Sequence, residues 1–85
     1  MQEKEIGKIT HYFGKISVGI IELTDSLKVG DSIHIKGVHT DFTQKVDSIQ
    51  IEHQNVEEAK AGDFVGIKVR ERVHPNDKVY KVIEA

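Results

Sequence analysis

Eighty-five residues carry 12 Lys and Arg against 14 Asp and Glu, a formal charge of −2, with 38% hydrophobic residues and no cysteine. So short a chain holds one domain, which excludes a multidomain enzyme or a dinucleotide-binding sheet with a second, substrate-binding domain. Without cysteine there is no disulfide framework, thiolate zinc site, iron–sulfur cluster or cysteine nucleophile, and the near-balanced charge argues against a protein dedicated to coating polyanions, though not against a local basic patch.

In chain order, the pattern is short-period almost throughout. Ile6, Ile9, Tyr12 and Phe13 mark a first strand that ends at the turn signal Gly14-Lys15. Ile16, Val18 and Ile20 then share one parity before Ile21 and Leu23 take the other, which predicts a β-bulge beside Gly19. Val29, Ile33 and Ile35 form the next strand, closed by Gly37. Phe42 and Val46 open a fourth on even parity, and Ile49, Ile51 and His53 continue it on odd parity, predicting a second bulge near Asp47-Ser48. Asn55 to Lys60 suits a single helical turn capped by Asn55. Val65, Ile67 and Val69 alternate as a fifth strand, His74-Pro75-Asn76-Asp77 is a turn cluster, and Val79 to Ile83 is the last strand.

The charged N-terminus, Met1 to Glu5, is followed by no apolar signal-peptide region, and no apolar run approaches the ~20 residues of a membrane helix. A cytoplasmic protein without a membrane segment is expected. Residues 1–85 are expected to form one domain with its core at about 6–83. A start at Met1 and an end two residues beyond Ile83 suggest a complete chain.

Two stretches resemble a known family. Leu27-Lys28-Val29-Gly30-Asp31-Ser32-Ile33-His34-Ile35 is similar to the hairpin in the second-domain β-barrel of translational GTPases such as elongation factor Tu. Ala61-Gly62-Asp63-Phe64-Val65-Gly66-Ile67-Lys68-Val69-Arg70 resembles that family's Ala-Gly-x-x-Val-Gly strand entry. Val46 to Ile51 and Asp77 to Tyr80 resemble the strands that neighbour it in the family's order. The resemblance implies an all-β domain: a closed six-stranded antiparallel β-barrel. It also implies a translation factor-like binding module for RNA, a ribosome or another ribonucleoprotein. The family's nucleotide engine is missing: Gly7-Lys8 and Gly14-Lys15 are each followed by Ile, not the Ser or Thr of a phosphate-binding loop. The family's early Thr-Gly-Arg segment is not reproduced, since Gly19-Ile20-Ile21 puts Ile where Arg is expected, and Glu71 stands where the family usually has Gly.

Lys68, Arg70 and Arg72 share one strand parity opposite Val65, Ile67 and Val69, so they form a candidate phosphate-tracking ridge, to which Lys36 is a further candidate. The plainer reading is a solvated face balanced by Glu71 and nearby acids. His11 and His53 share parity with apolar neighbours and are expected at the rim or in the core, while His34 and His39 are separated by Gly37. No metal site, cofactor or catalytic set is predicted, because no histidine helix motif, cysteine partner or nucleophile elbow is present. The alternative to RNA binding is a protein–protein interaction barrel that docks onto a larger enzyme or factor through loops such as Gly37 to Thr43. Similar barrels are appended to collagenase-like peptidase-family proteins that act on RNA, which implies such a protein as one partner.

Overall fold

A computed structural model describes residues 2–83. Ten strands form it: β1 (Gln2–Phe13), β2 (Val18–Leu23), β3 (Leu27–Lys28), β4 (Ser32–Lys36), β5 (Asp41–Lys45), β6 (Ile49–Ile51), β7 (Gln54–Val56), β8 (Glu58–Ala59), β9 (Phe64–Lys68) and β10 (Lys78–Ile83). Eight of them make one antiparallel sheet in the order β5-β4-β10-β1-β2-β9-β6-β7, and β3 pairs with β8 separately. The all-β, single-domain expectation agrees with this architecture, while its outermost residues Met1, Glu84 and Ala85 lie outside the described residues.

The closed six-stranded barrel is corrected. Among the described residues no ladder joins the end strands β5 and β7. A side chain does part of the work of a ladder instead. The carboxamide of Gln44 on β5 donates to the Lys68 carbonyl at 2.9 Å and accepts the Arg70 amide at 2.8 Å. It mimics a peptide group and stitches β5 to the segment beyond β9, and it is buried while doing so.

Three turns repeat one chemical device. In Lys28-Val29-Gly30-Asp31, Lys60-Ala61-Gly62-Asp63 and His74-Pro75-Asn76-Asp77 the fourth residue's amide donates to the first residue's carbonyl at 3.0, 3.0 and 3.1 Å. The third residue has a positive φ, 97° at Gly30, 95° at Gly62 and 76° at Asn76, as a type II turn demands. Each aspartate then accepts the first residue's amide, at 2.9, 3.0 and 2.9 Å. The turn cluster expected at His74-Pro75-Asn76-Asp77 is thus present, and the other two turns follow the same logic.

Bulges fall elsewhere than the parity pattern predicts. Both lie on β1, where the register shifts between Glu5 and Gly7 and again between Ile9 and His11. In β2 the alternation is unbroken: Gly19, Ile21 and Leu23 face the core, and Val18, Ile20 and Glu22 face out. Ile16, Val18 and Ile20 are therefore outer-face residues, and β2 is apolar on both faces along much of its length. Near Asp47-Ser48 the chain leaves the sheet altogether: Val46 is buried and tied by backbone bonds to Gly30 and Asp31. The helical turn expected from Asn55 is replaced by β7 and β8, because Glu52 and His53 form a two-residue hairpin loop that returns the chain alongside β6.

The core is aliphatic. One inward row runs Ile9–Ile21–Val65 across β1, β2 and β9, and another runs Leu23–Gly7–Val79–Ile35–Phe42 across five strands. Gly7 has to be glycine, since a Cβ there would sit 2.5 Å from the Glu22 carbonyl oxygen. Aromatic rings contribute little, with only Phe42 fully inside and Tyr12 packed at the margin.

Candidate docking faces

The outer surface divides into an apolar half and a charged half. The second bulge of β1 sets the boundary. Before it Ile9 points in and Lys8 out; after it His11 and Phe13 point out. Cross-strand pairing then places Phe13 opposite Val18 and His11 opposite Ile20, and β9 brings Gly66 opposite Ile20 and Phe64 opposite Glu22. The result is a hollow lined by Phe13, Ile16, Val18, Ile20, Phe64 and Gly66, with Gln50, Glu52 and His53 at its rim. Phe13, Ile16 and Phe64 are exposed at 51%, 61% and 55%. Gly66 leaves the middle of the hollow open, because a Cβ there would meet Val18 Cγ1 at 3.3 Å. An exposed apolar cluster with a polar rim is the usual mark of an interaction surface.

The rim carries strain. Glu52 and His53 occupy both central positions of the β6–β7 hairpin with φ of 51° and 65°. Asn-Gly fills such positions most cheaply, and a side chain with positive φ costs about 1–3 kcal/mol. His11 and His53, expected at the rim or in the core, are both exposed; His11 lies alongside the Phe13 ring, with ring centroids 6.4 Å apart.

Of the sequence-derived cations, Lys68 and Arg70 come together and Lys36 lies apart from them. Lys68 ends β9, while Arg70 and Arg72 follow it outside any strand. Lys68 and Arg70 line a hollow with Gln44, Lys45, Asp47 and Ser48, whereas Lys36 lines another with His39, His74 and Lys78. The strand itself ends at Lys68, although the in–out alternation continues, with Val69 buried, Arg70 exposed and the Arg70 amide taken by the Gln44 carboxamide.

On the charged half, His34 is held between two carboxylates, with Nδ1 2.9 Å from Glu3 and Nε2 2.5 Å from Asp41. Hydrogen bonding to Asp41, then to Glu3, raises the His34 pKa, and the same contact with His34 lowers that of Asp41. No cluster of three metal-ligating side chains occurs among the described residues. No described helix is long and apolar enough to cross a membrane.

The apolar face escaped sequence reasoning although its signal was present. Ile16, Val18 and Ile20 on the parity opposite Ile21 and Leu23 are as consistent with a strand apolar on both sides as with a bulge. Phe64, out of phase with Val65 and Ile67, carries the same signal on β9.

The known proteins that this chain resembles are much longer than it is. The chain is 43% identical over 81 residues to the uncharacterised protease MJ0090 of Methanocaldococcus jannaschii, covering 94% of this chain and 20% of that protein. It is 39% identical over 82 residues to a collagenase of Porphyromonas gingivalis, covering 94% of this chain and 23% of that protein. No family model matches. In structure it resembles the C-terminal domain of a Geobacillus thermoleovorans protein named as a U32 peptidase, with a TM-score of 0.88 at 19% identity, covering 94% of this chain and 93% of that one. A selenomethionine variant of that domain gives 0.86. These likenesses overturn the translational GTPase resemblance, and with it the translation factor-like, RNA-binding role drawn from it. The motifs behind that resemblance were Gly-Asp turns feeding strands, chemistry that any short antiparallel pair can use. The chain spans about a fifth of the length of the curated relatives it matches, and its fold is that of a U32 peptidase C-terminal domain.

Proposed function

We propose that this chain is a non-catalytic docking module whose apolar outer face seats on the larger, catalytic part of a peptidase-family protein. The observation that carries the reading is the cluster of Phe13, Ile16, Val18, Ile20 and Phe64 around the open position at Gly66. Its occupant is the remainder of such a protein, because the matched relatives carry roughly four-fifths of their length outside the region that this chain resembles. The strained Glu52-His53 hairpin supports the assignment, since backbone strain persists where a local shape serves a contact. Burial of two half-exposed phenylalanines stabilises a complex by about 2 kcal/mol, on the order of a 30-fold change in affinity.

The test is titration of this chain against MJ0090 lacking its matched segment, followed by calorimetry. A 1:1 complex that survives 0.5 M salt and weakens about 30-fold or more with Phe13→Ser/Phe64→Ser is expected. Absence of a complex, or one indifferent to the double substitution, overturns the proposal. Both side chains are exposed, so the variant should keep the parent's unfolding free energy within about 1 kcal/mol.

A further inference from the structure

The charged half of the sheet carries an arrangement that the apolar face does not explain. Antiparallel register places Lys36 on β4 opposite Lys78 on β10, and Lys78 opposite Lys8 on β1. All three point outward. Like charges directly opposite one another destabilise a sheet, so a row of three needs a compensating partner. Internal compensation is thin. Lys8 lies 4.0 Å from Glu22 and Lys78 lies 3.7 Å from Glu5, both exposed pairs. Asp41, the residue across from Lys36, gives its carboxylate to His34 at 2.5 Å, and Lys36 makes no ion pair among the described residues.

Beside the row, Lys36, Lys78, His39 and His74 line a hollow between the 37–40 and 74–77 turns. The one carboxylate in that lining, Asp77, is buried and accepts the His74 amide at 2.9 Å, so its negative charge is already engaged. Val38 stands at the lip, 92% exposed.

We propose that Lys36, Lys78 and Lys8, with His39 and His74 beside them, bind the carboxylates of a short acidic peptide segment. Strand spacing sets the cationic row at about 5 Å intervals. Asp41 at one end and Glu22 at the other close it off. A polyanion longer than the row meets repulsion at both ends and, beyond them, a chain of net charge −2. A peptide of a few Asp or Glu residues fits between the two acids, and its apolar neighbours can rest on Val38. This site is distinct from the apolar face and does not depend on the docking reading.

Fluorescein-labelled hexaglutamate is the probe, with binding followed by anisotropy at 20 and 150 mM salt. Saturable binding at 20 mM is expected, weakened at least tenfold by Lys36→Glu/Lys78→Glu and severalfold by the milder Lys36→Gln/Lys78→Gln. Lys68→Glu/Arg70→Glu and Phe13→Ser/Phe64→Ser should leave it within twofold of the parent. Lack of binding at 20 mM salt overturns the inference. So does equal loss in the Lys36/Lys78 and Lys68/Arg70 variants, which would mean bulk charge alone. A single-stranded oligonucleotide of equal charge that binds more tightly through Lys36 and Lys78 would replace the peptide assignment.

Discussion

The two outer halves of one sheet differ in how their side chains are satisfied. Around Gly66, on β2 and β9, large apolar groups stand exposed to water. Across β10 and β4, charged groups face one another and are only partly paired: His34 is held by Glu3 and Asp41, Lys78 has one exposed pair with Glu5, and Lys36 has none among the described residues. Exposed apolar area gains free energy only from being covered, whereas exposed ion pairs contribute little in either state. The first half is therefore built for contact with a surface, and the second for selectivity among charged partners. Both share one aliphatic core, and the Gln44 carboxamide ties them together at the sheet's open side.

The sharpest way to break the charged half alone is Gly37→Ala. A Cβ at Gly37 would overlap the Asp77 carboxylate, whose bond to His74 holds the 74–77 turn. Chemical denaturation should show a loss of about 3 kcal/mol, with the 37–40 and 74–77 amides exchanging faster than those around Gly66.

Separation of the two halves comes next. Gln44→Leu removes the bonds to Lys68 and Arg70 and leaves two part-buried backbone groups without that partner. A loss of about 2 kcal/mol is expected. The Arg70 amide should lose its exchange protection; retained protection would mean that another group takes over the stitch.

Glu52→Asn/His53→Gly has the opposite sign. It relieves two positive-φ positions at the apolar rim and should stabilise the fold by about 1 kcal/mol. If the strain serves docking, affinity for the peptidase-family partner falls even as the unfolding midpoint rises.

The smallest effect is the pH response of the charged half. The raised pKa of His34 means that its contribution is complete below about pH 6.5, the unfolded value, and is lost as pH climbs through the folded one. The lowered pKa of Asp41 means that its contribution is present above about pH 4 and is lost as pH falls through the folded value. Their joint support is therefore greatest between about pH 4 and 6.5. Stability measured from pH 5 to 9 should decline more in the parent than in His34→Gln; parallel curves would exclude the pair from the pH response.

Local chemistry was legible wherever a residue type has a single cheap use. Residue types such as the Gly30-Asp31 pair favour a tight turn, because positive φ favours glycine and an aspartate can accept an amide three residues back. The alternation of Val65 and Ile67 likewise marks a half-buried strand whatever surrounds it. The candidate faces were less legible. Parity identifies which residues share a side but not which side is inside, so Val18 and Ile20 were assigned to a bulged core strand when they line the surface. The Lys36–Lys78–Lys8 row joins strands distant in the chain, and no spacing in the sequence encodes it.

The amino-acid sequence alone determines an all-β domain with an aliphatic core and Gly/Asn-Asp turns, because alternation and backbone φ preferences act over two to four residues. Tertiary structure alone decides that the sheet stays open and is stitched by Gln44, that the bulges fall on β1, and that apolar and cationic groups occupy separate outer halves. Those outcomes depend on register between strands, and register is set by how all the inward side chains pack at once rather than by any one segment.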